Sequence, residues 1–185
     1  GRLSAVRHTL VFDTAFGRCA LAWHDAGLTA VRLPDDEHHL LASLRRHAPD
    51  AQPWPGDQPL PGWVADAVRD MRRLLAGEVQ DLKHILIDLR TTGEFERRVY
   101  AAAQALAPGH TCTYGEMARA LGEPAAMRAV GHALGMNPWP LVVPCHRITA
   151  AGGKLGGFSA PGGNQTKRQL LVLEAGMVKR EDQLF

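Results

Sequence analysis

The apolar residues of this chain recur with one spacing in its first half and another in its second, and that change constrains the fold more than any other feature. Thr9-Leu10-Val11-Phe12, Arg18-Cys19-Ala20-Leu21-Ala22-Trp23 and Leu28-Thr29-Ala30-Val31-Arg32-Leu33 are short apolar runs. Gly17 and the Asp25-Ala26-Gly27 turn link them, which is the pattern of an antiparallel meander. From Phe95 the spacing becomes three and four. Phe95, Val99, Ala102, Ala103 and Leu106 share one face of a helix that stops at Pro108-Gly109. A small sheet followed by helices is an α+β fold. The break at Thr91-Thr92-Gly93 divides it into an amino-terminal α/β domain, residues 1–90, and a mostly helical domain, residues 91–185.

Other elements fill this frame. Residues 37–47 read as a helix with Leu40, Leu41 and Leu44 on one face, and the five prolines between Pro49 and Pro61 mark a loop. Val64, Val68, Met71 and Leu75 give a helix stopped by Gly77, and Ile85 to Leu89 a short strand. In the second half Thr113 and Glu116 form a capping box that opens a helix through Met117 and Leu121. After the Gly122-Glu123-Pro124 turn a third helix runs from Ala125 to Leu134, so a helix-turn-helix is predicted. Its core face is Ala126, Val130, Ala133 and Leu134; Ala125, Arg128, Gly131, His132 and Gly135 face outward. An interior Gly costs a helix about 1 kcal/mol, so this bare face needs a reason. Small residues let a second surface approach closely. With Arg128 standing among them the face suits the floor of a DNA groove, or else packing against the protein's own first half.

Composition excludes several classes. With 185 residues, 45% hydrophobic and 22% charged, the chain is neither disordered nor fibrous. No apolar run approaches the roughly 18 residues of a membrane span, and Gly1-Arg2-Leu3-Ser4 carries no apolar signal segment. Cys19, Cys112 and Cys145 show no CxxC spacing, which argues against a disulfide framework or a cysteine-rich zinc module and for a reducing, cytoplasmic setting. The net charge is only +2, but it is uneven. Up to residue 90 eleven Lys and Arg face twelve Asp and Glu; beyond it ten face seven, so any nucleic-acid surface is expected in the second half.

The chemistry concentrates between Asn137 and Arg147. Leu141-Val142-Val143 reads as a buried strand, followed at once by Pro144-Cys145-His146-Arg147. A histidine beside a cysteine favours the reactive thiolate, and a carboxylate behind the imidazole would fix its tautomer. Cys19 and Cys112 read as packing residues.

The Pro144-Cys145-His146-Arg147 block, preceded by Asn137-Pro138 and by Arg128-Ala129-Val130-Gly131, resembles the O6-alkylguanine-DNA alkyltransferases. Thr113-Tyr114-Gly115-Glu116, Gly156-Gly157-Phe158-Ser159 and Lys167 to Glu174 are similar to further segments of that family, in the same order. The resemblance runs from about Thr14 to Glu174 and is strongest from Phe95 onward. It implies an RNase H-like amino-terminal sheet and a single-turnover repair protein that moves an alkyl group from guanine O6, with O4-alkylthymine as a second candidate, to Cys145. His146 would take the thiol proton through water, with Glu174 orienting the imidazole. Tyr114 would donate to the purine ring nitrogen and Asn137 would hold the turn. Pro144, Ile148, Phe158 and Ser159 would line the substrate pocket. Thr113, Tyr114, Ala125, Arg128 and Gly131 would meet the minor groove of double-stranded DNA, with Arg128 filling the place of an everted nucleotide.

No cofactor, membrane or metal is expected, and the protein is expected to be a monomer that binds DNA singly or cooperatively. His24 stands where some members hold zinc, without a matching set of Cys ligands. Phe158 replaces a usual Tyr, and Ala160-Pro161 looks inserted. Arg147 is assigned to loop carbonyls or acidic side chains rather than DNA. Trp139 fits a gap filler and a DNA contact equally, and Lys154, Lys167 and Arg168 fit phosphate contacts or solubilising charges. Three readings compete: a Cys-His-Glu hydrolase, a lesion sensor lacking the nucleophile, and a helix-turn-helix regulator. The first lacks a visible oxyanion hole; Cys145 itself argues against the second, and the bare helix face against the third.

Overall fold

The computed structural model describes residues 6–157 and 163–184, with side chains as far as Arg180. Three strands, β1 (His8–Thr14), β2 (Gly17–His24) and β3 (Gly27–Arg32), form the expected antiparallel meander. The sheet order is β3-β2-β1-β4, because β4 (Gln52–Pro53) adds a short parallel edge to β1 inside the proline-rich segment read as loop. Proline is tolerated there since an edge residue need not donate to a further strand.

Strand β2 is buried from Cys19 to His24, on both faces. Alternation explains how: Cys19, Leu21 and Trp23 enter the main core, whereas Ala20 and Ala22 point the other way. Helix α1 (Glu37–His47) covers this second face with Leu40 and Leu44, and the alanines let it lie close. On the main side lies α2 (Gly62–Leu75), whose Val64, Met71 and Leu75 are buried. Residues 85–89 do not form the predicted strand. They make a single bridge, Leu28 with Ile87, through Leu28 N–H to Leu86 O and Asp88 N–H to Leu28 O, both at 2.9 Å. Gly27 makes this approach possible: a Cβ there would sit 2.9 Å from the Ile87 carbonyl carbon, and its φ is +131°.

The second half holds α3 (Glu94–Gln104), a two-residue strand β5 (Cys112–Thr113), α4 (Tyr114–Ala120) and α5 (Met127–Gly135). The capping box forms as expected: Thr113 Oγ1 accepts from Glu116 N–H and Glu116 Oε1 from Thr113 N–H, each at 3.0 Å. The third helix begins later than expected, because Pro124–Ala126 is a 3₁₀ turn leading into α5. A second 3₁₀ turn, Cys145–Arg147, leads into β6 (Ile148–Thr149), which pairs in parallel with β5, and α6 (Asn164–Leu184) closes the chain.

Residues 141–143 are not a strand either. Val143 N–H donates back to Trp139 O at 2.8 Å and Leu141 takes a φ of +76°, so the segment is a buried turn. An apolar run buried on all sides looks alike in a strand and a turn; Pro138, Pro140 and Pro144 remove the donors a ladder would need.

Trp139 resolves to the gap-filling role. It is 2% exposed, meets the Tyr100 ring edge-on at 5.9 Å, and donates from Nε1 to Leu28 O at 2.7 Å. With Val31 N–H donating to Pro138 O at 2.9 Å, it fastens the turn to the sheet, and one core cluster runs from Phe12 to Met177. Among the described residues no helix is long and apolar enough to cross a membrane. Trp139→Ala is expected to cost about 3–5 kcal/mol in urea unfolding, and Trp139→Phe about 1 kcal/mol for the lost hydrogen bond.

Candidate active site

Cys145 opens the 3₁₀ turn directly after Pro144 and is 7% exposed. Asn137 braces the preceding turn from inside, donating from Nδ2 to Val143 O at 2.8 Å while Oδ1 accepts from Trp139 N–H at 2.9 Å. The Asn137 side chain and the backbone N–H groups of Cys145 and His146 favour negative charge on the sulfur. The β5–β6 pairing brings Tyr114 to the same place, since Cys112 and Thr113 lie opposite Ile148 and Thr149. Gly156 packs against the Tyr114 ring: a Cβ there would lie 2.7 Å from the phenol oxygen, and its φ is +76°.

Helix α6 buries Lys167, Leu170, Glu174 and Met177, spaced three, four and three residues apart, so its core stripe carries two charged side chains. Glu174 is shared. His146 Nε2 lies 2.8 Å from Oε1 and 3.0 Å from Oε2, while Arg147 donates from Nε to Oε1 at 2.8 Å and from Nη2 to Oε2 at 2.9 Å. Arg147 Nη1 also donates to Leu106 O at 2.6 Å, which matches the carbonyl-and-acid role expected of it. Lys167 is not the surface charge that the sequence suggested. It is fully buried, donates from Nζ to Ile148 O at 2.7 Å, and lies 5.8 Å from the Tyr114 ring centre.

Electrostatics set the resting protonation states. Burial pushes the Cys145 thiol up, against the pull of Asn137 and the Lys167 charge. Burial likewise pushes His146 down, although Glu174 pulls it the other way. For Glu174 burial would raise the value, but hydrogen bonds from Arg147 and His146 outweigh it and hold the carboxyl at about 2. Tyr114 is raised by burial and by Cys145, so it remains a phenol. The resting pair is therefore a thiol beside a neutral imidazole, not the ready-made thiolate suggested by their adjacency. Because an ionised carboxylate can only accept, Nε2 facing the two Glu174 oxygens carries the proton, and Nδ1 keeps a lone pair. Nδ1 is buried and has no hydrogen-bond partner among the described residues.

The structure thus brings Asn137 and Tyr114 near Cys145 and ties Glu174 to the adjacent His146, while Pro144 and Ile148 flank the Cys145–Arg147 turn. Ala125 and Arg128 are exposed and Gly131 partly so, on the surface of the 3₁₀ turn and α5, while the Thr113 side chain is engaged in its cap. Phe158, Ser159 and the Ala160-Pro161 pair lie outside the described residues. His24 is tied to its neighbours, with Nε2 2.7 Å from both Asp88 Oδ2 and Arg90 Nη2. Among the described residues, three side chains within reach of one metal ion meet only at Asp35, Asp36 and His39. Lys167 is the site residue whose place the sequence hid; its one signal is that it lies seven residues before Glu174, on the same helical stripe.

A family model described as the 6-O-methylguanine DNA methyltransferase, DNA binding domain, matches residues 94–176. The methylated-DNA–protein-cysteine methyltransferase of Mycobacterium tuberculosis is 36% identical over 178 residues, covering 96% of this chain and 98% of that protein. Its counterpart in Mycolicibacterium paratuberculosis is 40% identical over 162 residues, 88% of each chain. The crystal structure of Mycobacterium tuberculosis OGT in complex with DNA matches with a TM-score of 0.72 at 35% identity, covering 92% of this chain and 94% of that one. Fold and family model together define a DNA-binding domain built around a buried cysteine. The chain belongs to the methylated-DNA–protein-cysteine methyltransferase family.

The lowered Glu174 value has a measurable consequence. Its stabilisation is complete above the unfolded value of about 4.5 and is lost as the pH falls towards 2. Acid titration of unfolding free energy should show about 3 kcal/mol lost across that window from this group. Glu174→Gln, which leaves Arg147 buried and unpaired, is expected to remove that component and to cost about 3–5 kcal/mol at neutral pH.

Proposed function

We propose that this protein repairs alkylated DNA by a single, irreversible transfer of the alkyl group from guanine O6 to Cys145 Sγ. The observation that carries the chemistry is the contact of His146 Nε2 with the Glu174 carboxylate at 2.8 Å. Glu174 fixes the proton on Nε2, which leaves Nδ1 as the lone buried base on the residue next to the thiol. As the thiol proton passes to Nδ1, through a water or directly, the sulfur attacks the alkyl carbon. The S–C bond forms while the C–O6 bond breaks. Guanine leaves poorly as an anion, so the Tyr114 phenol gives a proton to the purine ring and recovers one from the imidazole side. The thiol proton thereby ends on guanine. The thioether has no route to hydrolysis, so each molecule acts once.

An alkyl carbon inside stacked duplex DNA is out of reach, so the nucleotide must turn out of the helix at a cost of a few kcal/mol. Helices α4 and α5 act as the helix-turn-helix, entering the minor groove on the Ala125 and Gly131 face, with Thr113 and Tyr114 at the groove's edge. Arg128 then occupies the vacated space. Pro144, Ile148, Phe158 and Ser159 line the pocket, the last two by family resemblance. Residues 91–185 carry binding and transfer, and residues 1–90 support them. Three free cysteines suit a protein working inside the cell.

Incubation with duplex containing O6-methylguanine is expected to add one methyl group at Cys145, read by intact mass and peptide mapping; an unmodified protein that retains the lesion would overturn the transfer. Cys145→Ala should abolish transfer and keep binding. Arg128→Ala should slow transfer from duplex about tenfold to a hundredfold while sparing reaction with free O6-benzylguanine; equal losses would remove its flipping role.

A further inference from the structure

We propose that the protein accepts long O6 substituents ending in a carboxylate, and that Arg32 and Arg46 of the amino-terminal half select them. The proposal rests on the alkyl-transfer reading and extends it to substrate class. A cleft of about 720 Å³ lies against the nucleophile, with Asn137, Pro140 and Cys145 on one wall and Arg32, Ser43 and Arg46 on the other. A methyl group uses little of that space. In displacement at carbon, sulfur, carbon and O6 align, so the rest of a longer substituent leaves the axis sideways and needs room beside the sulfur. The cleft offers that room: Pro140 and the exposed Met136 give apolar surface for methylenes, and the far wall is cationic.

Among the described residues the Arg32 charge on that wall meets no carboxylate. Arg32 donates from Nε to Ser43 Oγ at 2.7 Å and from Nη1 to Val31 O at 3.0 Å. Its value is lowered by burial and by the Arg46 charge, and that of His47 by burial, Arg32 and Arg7. Asp35 reaches the same cleft but faces His39, 3.5 Å from its Nδ1. Cations at the end of α1 are expected on dipole grounds alone; Arg32 comes from β3, where no such reason applies. A partly buried guanidinium that lines the same cleft as the nucleophile fits an oxyanion brought by the substrate. In the balanced step the S–C bond forms, the C–O6 bond breaks, the thiol proton ends on guanine, and the carboxylate travels unchanged into the thioether.

Single-turnover transfer from duplexes carrying O6-methylguanine, O6-butylguanine and O6-(3-carboxypropyl)guanine tests this, the last two differing in charge at nearly equal length. Wild type should transfer carboxypropyl at least about tenfold faster than butyl. That ratio should fall part-way in Arg46→Gln, an exposed site safe for folding, and to about one in the Arg32→Gln/Arg46→Gln double variant, with methyl transfer unchanged. A wild-type ratio near or below one, or one the variants leave intact, overturns the proposal. Parallel loss on all three duplexes also overturns it, because the arginines then meet backbone phosphate. If wild type transfers nothing from any duplex, the alkyl-transfer reading itself falls, and this one with it.

Discussion

One buried carboxylate organises the second half of this molecule. Glu174 projects from α6 and receives both His146 and Arg147, consecutive residues of the turn that begins with Cys145. Buried ion pairs often contribute little net stability, because desolvation offsets the attraction. What this one supplies is register. The Arg147 fork fits a carboxylate in one orientation, and its remaining arm holds Leu106 O at the end of α3, so three separate stretches of chain are located by one anion. Rotate that carboxylate and the imidazole loses its tautomer and the turn its anchor together.

The other end of the site is fixed by the sheet. Trp139 and Pro138 bond to Leu28 and Val31, so the turn from Asn137 to Val143 hangs between β3 and the 3₁₀ turn. This suspension accounts for the strained Leu141, whose φ of +76° is unusual for a side chain of its size. Burial of Leu141, Val142 and Val143 offsets a cost of order 1–3 kcal/mol. The amino-terminal half is thus part of the site's geometry, although it supplies no atom to the proposed transfer of a methyl group.

Legibility in the sequence followed how many repeats of a pattern each element has. β1, β2 and β3 alternate over six to eight residues, and α1 spans the residues that its leucines marked. β4 and the Leu28–Ile87 bridge involve one or two residue pairs, too few to leave a period. The 141–143 segment misled for another reason: hydrophobicity reports burial, and a turn can be as buried as a strand. Cys145, His146, Glu174 and Tyr114 are the residues to which adjacency and family motif point, and the structure joins Glu174 to His146. Lys167 was hidden because a lone lysine on a helix reads as solvated; only its place on the stripe shared with Leu170 and Glu174 betrays it. The capping box, by contrast, is a local code and appears as written.

The environment of Cys145 also favours a thiol in the absence of substrate. The sulfur is buried and its thiol value raised, so little thiolate is available to oxidants or stray electrophiles. Ionisation in the proposed reaction must coincide with proton loss to His146, and the resulting imidazolium would face Glu174. Were Glu174 free, that cation would be held tightly and the proton would not return. Arg147 spends part of the same carboxylate and its charge lowers His146 directly, which keeps the imidazolium transient. Proton loss from sulfur and proton gain by the purine then balance within one buried volume, so no net charge accumulates where water is scarce. An identical Cys-His pair backed by an unshared glutamate would favour a standing ion pair. Such a site could react with many electrophiles, whereas this one is built to wait for a leaving group that takes the proton.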